Sequence, residues 1–190
     1  MKIGCAILAG GKSSRMGTDK ALLELDGKTF IRKLCEELDD FEEKIIARGN
    51  RENIGDISWN VIPDRYFECG PIGGLHAVLS VCQSEVMFCV SCDMPFLQRS
   101  LVEELCKYMN DNTDAVIAVT QDGRKHPLCG LYRKSVGSVL EAQILTGNYR
   151  MMTVLDKIKA NYVTITSQNT QQLKNINTPQ EYLSELRKEK

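Results

Sequence analysis

Residues 3–8 read Ile-Gly-Cys-Ala-Ile-Leu with no polar side chain among them. A short apolar run without alternation predicts a strand buried on both faces. Runs rich in branched and apolar residues return at 44–47, 59–62, 86–91, 114–120, 128–132 and 162–165 and predict further strands. Between them the pattern changes period. Ile31, Leu34, Leu38 and Phe41 share one helical face behind Thr29, a capping residue, which predicts a helix over 29–38. Helices are also predicted over 72–82, 136–145 and 151–158. Ser100 with Glu103 reads as a capping box opening a helix to residue 109, and Thr178, Pro179 and Glu181 read as the start of a last helix to residue 187. Strands that alternate with helices predict an α/β fold with a mainly parallel sheet and helices on both faces. In such a sheet ligands bind beyond the carboxyl ends of the strands.

Several polar segments fall at those ends. After Leu8 the chain reads Ala9-Gly10-Gly11-Lys12-Ser13-Ser14-Arg15-Met16-Gly17-Thr18-Asp19-Lys20. Glycines let backbone N–H groups approach phosphate oxygens, and Lys12, Arg15 and Lys20 add full positive charge, so the loop predicts a phosphate-bearing ligand. It is not a Walker loop, because the first required glycine falls on Ala6, and Gly10, Gly11 and Gly17 do not have dinucleotide-fingerprint spacing. Its length and charge suit a triphosphate. The apolar stretch from Ala21 to Leu25 ends at Asp26-Gly27, a tight-turn pair. Asn50 follows the predicted strand 44–47, Asp64 follows 59–62, and Asp93 follows 86–91. Gly70-Pro71-Ile72-Gly73-Gly74-Leu75 predicts a shaped loop whose two glycines let the next helix start close to its neighbours. An acid directly after an apolar strand is either a turn cap or a ligand for a hard cation such as magnesium. Asn50, Asp64, Asp93 and the Gly10 loop are therefore expected along one sheet edge, as parts of one site.

Composition narrows the class. The chain has 190 residues, 43% hydrophobic and 26% charged, with a net charge of -1. That suits one globular domain over 1–190 and does not favour a nucleic-acid partner, since acids balance the cations and no basic run stands out. No apolar run approaches the roughly 20 residues that span a membrane. Residues 1–5 lead straight into the first strand, which predicts no signal peptide and a cytoplasmic protein. The eight cysteines are scattered mostly through apolar stretches and read as free, buried thiols. Cys89 and Cys92 alone have ligand-like spacing, but one pair cannot complete a tetrahedral zinc site. His126 is expected in a polar loop over 121–126, as an exposed or binding histidine, with no evident nucleophile nearby.

With these residues in place, the chain resembles the nucleotidyltransferases that begin with Leu-Ala-Gly-Gly and, within them, the molybdenum cofactor guanylyltransferases. The resemblance is carried by Leu8 to Lys20, by Pro63 to Leu75 with its Gly-Pro-x-x-Gly-Leu core, by Cys92-Asp93-Met94-Pro95 and by Asn177-Thr178-Pro179. It implies a Rossmann-like nucleotidyltransferase sheet and transfer of GMP from GTP to molybdenum-bearing molybdopterin, with release of pyrophosphate. It further implies that Leu8, Ala9 and Gly10 contact the nucleotide through backbone, that Arg15 and Lys20 hold phosphates, and that Asn50 and Asp64 contact GTP. Asp93 is implied to bind both nucleotide and Mg2+, so the catalytic set is Arg15, Lys20 and Asp93. Proteins that deliver the cofactor or receive it are implied as transient partners. Where the family commonly has Gly-Pro-Leu-Ala-Gly, this chain has Gly70-Pro71-Ile72-Gly73-Gly74. The nearest alternatives are sister activities: cytidylyl transfer to the pterin cofactor, or nucleotidyl transfer to a sugar or polyol phosphate.

Overall fold

The computed structural model describes residues 1–10, 19–49, 54 and 56–188. Strand β1 (Ile3–Leu8) finds the two buried faces that its composition demands. It pairs in parallel with β4 (Lys44–Ala47) on one side and with β6 (Val86–Ser91) on the other. Adding β5 (Asn60–Ile62), β7 (Ala115–Val119), β8 (Lys125–Arg133) and β9 (Ala160–Thr164) gives a seven-stranded sheet in the order β5-β4-β1-β6-β8-β7-β9.

The period of two along each strand divides the core. Cys5, Ile7, Val86, Phe88 and Val90 point to one face, where α1 (Phe30–Glu37) packs through Ile31 and Leu34 and α3 (Arg99–Cys106) through Leu101 and Leu105. Ala6, Leu8, Met87 and Cys89 point to the other, under α2 (Pro71–Val81), α4 (Val136–Leu145) and α5 (Met151–Leu155). Helices on both faces, as the sequence predicts, follow from central strands that have no polar side.

The sheet is parallel except for β8, which runs antiparallel to both β6 and β7. The reason is the connection. Residues 120–124 form a hairpin loop with Gly123 at φ 83, and a parallel return needs a crossover of roughly a dozen residues or more. The strand also starts earlier than expected. His126 lies inside β8 opposite Ala118, next to a register shift at Ile117/Ala118, and is buried rather than held in a polar loop. On β8, Gly130 packs against β7 so closely that an added Cβ would lie 2.5 Å from the Val116 carbonyl oxygen.

A second small sheet holds the two ends of the chain together. Asp26 and Gly27 both have positive φ, 52 and 70, the backbone of a tight two-residue turn joining β2 (Glu24–Leu25) to β3 (Lys28–Thr29). Leu25 and Phe30 behind this hairpin bury Ile176, and the Tyr182 hydroxyl on α6 (Pro179–Leu186) donates to the Glu24 carbonyl at 2.7 Å. The cap of α6 is as predicted: Thr178 Oγ1 accepts from the Glu181 N–H at 3.2 Å, and Glu181 accepts from the Thr178 N–H at 2.9 Å. The predicted capping box of α3 is not formed. That helix starts at Arg99, with Gln98 as its cap residue, so Ser100 already lies inside the first turn. A tertiary carboxylate replaces the local cap, since Glu37 accepts from the Arg99 N–H at 3.1 Å.

Gly130→Ala forces β7 and β8 apart, and overpacking of this kind costs about 1–3 kcal/mol. The urea midpoint of the variant is expected to fall with an unchanged slope; a midpoint equal to that of the parent would show that the strands adjust freely.

Candidate active site

The carboxyl edge of the sheet is built from consecutive strand ends that hydrogen-bond to one another. Ala9 N–H donates to Ala47 O at 2.8 Å, Cys92 N–H to Leu8 O at 3.1 Å, and Asp64 N–H to Gly49 O at 3.1 Å. These bonds set Leu8, Ala9, Gly10, Asp64 and Asp93 along one edge, as the topology predicts. Arg15 and Asn50, like Lys12, lie outside the described residues.

Asp64 is half-buried against the backbone of four glycines. A Cβ on Gly10 would sit 3.4 Å from Asp64 Oδ2, one on Gly74 would sit 3.7 Å from Oδ1, and Gly49 N–H donates to Oδ1 at 3.3 Å. Gly73, where an added Cβ would lie 2.8 Å from the Tyr66 carbonyl oxygen, lets the loop fold tightly onto the start of α2, and Gly74 packs beside Leu8 of β1, Ala47 of β4 and the Asp64 carboxylate. Burial pushes the Asp64 carboxyl pKa up, with the Gly49 N–H working against it.

Asp93 is gripped from the other end of the chain. Asn175 Nδ2 donates to its Oδ1 at 2.9 Å, the Ile176 N–H donates to its carbonyl at 2.8 Å, and the Lys20 ammonium stands 3.5 Å from its Oδ2. Lys20 Nζ in turn donates to Asn177 Oδ1 at 2.8 Å, across 157 residues of sequence. The described side-chain partners of Asp93 come from far along the chain, so it is not a local turn cap. Lys20 and Asp93 side chains are 16% and 13% exposed, enough for a ligand to reach and enough burial to strengthen their attraction over that of a surface pair.

Lys20 is positioned by its neighbour. Asp19 Oδ1 accepts from the Ala21 N–H at 3.2 Å, capping a short 3-10 turn over Lys20–Leu22, while Asp19 Oδ2 accepts from Arg48 at 2.8 Å. The Arg48 side chain is only 2% exposed. Sequence reasoning passed over Arg48 and Asp19 and left Asn175 and Asn177 without a role. A signal existed for the asparagines, two of them just ahead of a capped helix, but nothing in the sequence says that they reach Lys20 and Asp93.

The residues fit a magnesium ion. Asp93 offers hard carboxylate oxygens with lone pairs beyond those used by its described partners. Among the described residues no group of three or more acidic, histidine or cysteine side chains is arranged to hold a metal. Magnesium rarely needs such a cage, being held by one or two carboxylates, substrate phosphates and water.

The cysteine pair has no such use. Cys89 and Cys92 are buried in the clusters on opposite faces of the sheet. Burial pushes the Cys92 thiol up to about 12 and the Cys89 thiol well above its ordinary value. No described helix is long and apolar enough to cross a membrane.

The family model described as the MobA-like NTP transferase domain matches residues 5–162. A Clostridium perfringens (strain SM101 / Type A) protein named "Probable molybdenum cofactor guanylyltransferase" is 32% identical over 196 residues, with 99% of this chain and 98% of that protein covered. The solved structure of molybdopterin-guanine dinucleotide biosynthesis protein A from Archaeoglobus fulgidus superposes with a TM-score of 0.84 at 24% identity, covering 98% and 97% of the two chains. That of an Aquifex aeolicus VF5 protein superposes with a TM-score of 0.80 at 31% identity, covering 92% and 93%. The chain belongs to the MobA-like NTP transferase family and is a nucleotidyltransferase.

Proposed function

We propose that this protein transfers GMP from GTP to the terminal phosphate of molybdenum-bearing molybdopterin, forming the guanine dinucleotide cofactor and pyrophosphate. The observation that carries the reading is the Lys20-Asp93-Asn175-Asn177 cluster beside the Gly10 edge, in a chain whose relatives bear that activity in their names. The reaction brings two polyanions together, so the site must neutralise charge and align the acceptor oxygen with the α-phosphate, opposite the departing pyrophosphate.

Each residue has a part in this. Leu8, Ala9 and Gly10 offer backbone to the nucleotide, and Lys20 and Arg15 hold its phosphates. Asp64 keeps the Gly10 and Gly49 backbone in shape for GTP, with Asn50 nearby in sequence. Asp93 would hold magnesium, which would supply positive charge to offset the repulsion between the two phosphate-bearing substrates. Asn177 holds the Lys20 ammonium to one side, and Asn175 fixes the rotation of the Asp93 carboxylate. The acceptor phosphate is largely ionised near neutral pH, since its second pKa is about 6. No general base is therefore required. Buried, reduced thiols agree with a cytoplasmic setting.

Pyrophosphate release measured with each of the four nucleoside triphosphates and the pterin acceptor is expected to show GTP as the preferred donor; preference for CTP would overturn the guanylyl assignment. Asp93→Asn and Lys20→Ala are each expected to lower kcat by about 100-fold or more, the usual size of a lost charge-stabilising contact. Asn175→Ala touches no phosphate, so its expected loss is smaller, about 10–100-fold, and appears as a higher magnesium requirement. An unchanged magnesium dependence would remove Asn175 from the metal end.

Asp64 yields a test with a sign. Its folded-state pKa is raised, so it favours folding below the ordinary carboxylate range, and that contribution is lost as pH rises through the raised value. Once ionised, the buried carboxylate is a cost. Asp64→Asn is thus expected to keep or raise the thermal midpoint at pH 7 while weakening GTP binding; a lowered midpoint with intact GTP binding would reverse both assignments.

A further inference from the structure

Beside the Lys20 and Asp93 cluster lies a cleft of about 630 Å³, lined by the β7–β8 hairpin on one side and by residues 170–181 on the other. That volume falls in the roughly 300–1,000 Å³ range of small-molecule sites. Asn175 and Asn177 belong both to its lining and to the cluster, so the cleft adjoins Lys20 and Asp93 through these two side chains.

His126 lines the same cleft. It is 6% exposed, and its Nε2 is buried with no hydrogen-bond partner among the described residues. A buried polar nitrogen without a partner is costly unless something completes it. Burial, and secondarily Arg124, holds its pKa below the ordinary histidine value, so the ring is neutral near pH 7. The cleft's charges also balance: Arg124 and Lys174 stand against Asp122 and Glu181. Several are already engaged, Lys174 with Glu185 at 2.5 Å, Glu181 with the Asn177 and Thr178 N–H groups, and Asp122 with Thr120. A polyanion is poorly served by such a wall. A flat, uncharged heterocycle with donors and acceptors on its edge is well served.

We propose that His126 is a specificity-determining residue whose imidazole hydrogen-bonds the pterin ring of the acceptor, while Lys20 and Asp93 serve the phosphate end. This rests on the pterin acceptor proposed above, yet its test needs neither nucleotide nor turnover.

The chain has two histidines, His76 and His126, so imidazole signals of isotope-labelled protein are assigned with a single His76→Gln control. His76 stands against the Tyr66 ring at 5.1 Å and serves as the internal reference. Titration with a phosphate-free pterin is expected to shift the His126 signal and leave His76 in place, and titration with GTP or inorganic pyrophosphate is expected to leave both in place. In parallel, His126→Leu is expected to bind the pterin about tenfold or more weakly while GTP affinity holds, with His126→Gln retaining part of the binding. A His126 signal unmoved at saturating pterin, or moved by GTP alone, would overturn the inference, as would absence of pterin binding to the parent protein. Failure of the guanylyl reading looks different: pterin binds through His126, but GTP with the full acceptor releases no pyrophosphate.

Discussion

The Lys20 ammonium lies between the Asp93 carboxylate and the Asn177 amide, and the rest of the site depends on that contact being made. Lys20 precedes a two-stranded hairpin near the amino terminus, Asp93 ends a central strand, and Asn177 precedes the last helix. Bringing three remote segments to one point has a large entropic cost that a single ion pair of this size does not offset. The offset comes from apolar burial behind it. Ile176, flanked by the two asparagines, is fully buried against Leu25 and Phe30, and its N–H is used by the Asp93 carbonyl. Burying one side chain therefore points its two neighbours at the charged pair.

The same economy appears at the Gly10 end. Asp64 is costly to bury as an anion, and its raised pKa expresses that cost. Its neighbours are glycines 10, 49, 73 and 74, so backbone rather than side chains surrounds it. The Asp64 carboxylate accepts the Gly49 N–H and so ties the ends of β4 and β5 together at this edge.

Strand β8 shows how a small local feature reaches the site. The short loop over residues 120–124 makes the hairpin antiparallel, His126 falls within the strand opposite Ala118 beside the register shift, and it lines the cleft that Asn175 and Asn177 also line. A parallel connection in the same place would have left neither this cleft wall nor a buried histidine.

Much was legible in the chain alone, because much rests on local physics. Apolar runs without alternation specify strands buried on both faces; Thr29 and Thr178 specify helix starts; Asp26-Gly27 specifies a turn; and the strand-end positions of Gly10, Asp64 and Asp93 specify a common edge. Each depends on residues a few positions apart. The capping box expected at Ser100 was not formed: the helix starts earlier, at Arg99, and the Arg99 N–H donates to Glu37, remote in sequence. The contacts of Asn175 with Asp93 and of Asn177 with Lys20, the Arg48 to Asp19 pair and the burial of His126 lie in the same class. They join residues as much as 157 positions apart, and no local periodicity encodes which remote partner a side chain meets. Sequence by itself determined the layers, the edge and the chemistry offered there. Tertiary packing alone decided which groups hold Lys20 and Asp93 in place, since that choice is made by the burial of Ile176 and the antiparallel return of β8, and both are properties of the assembled core.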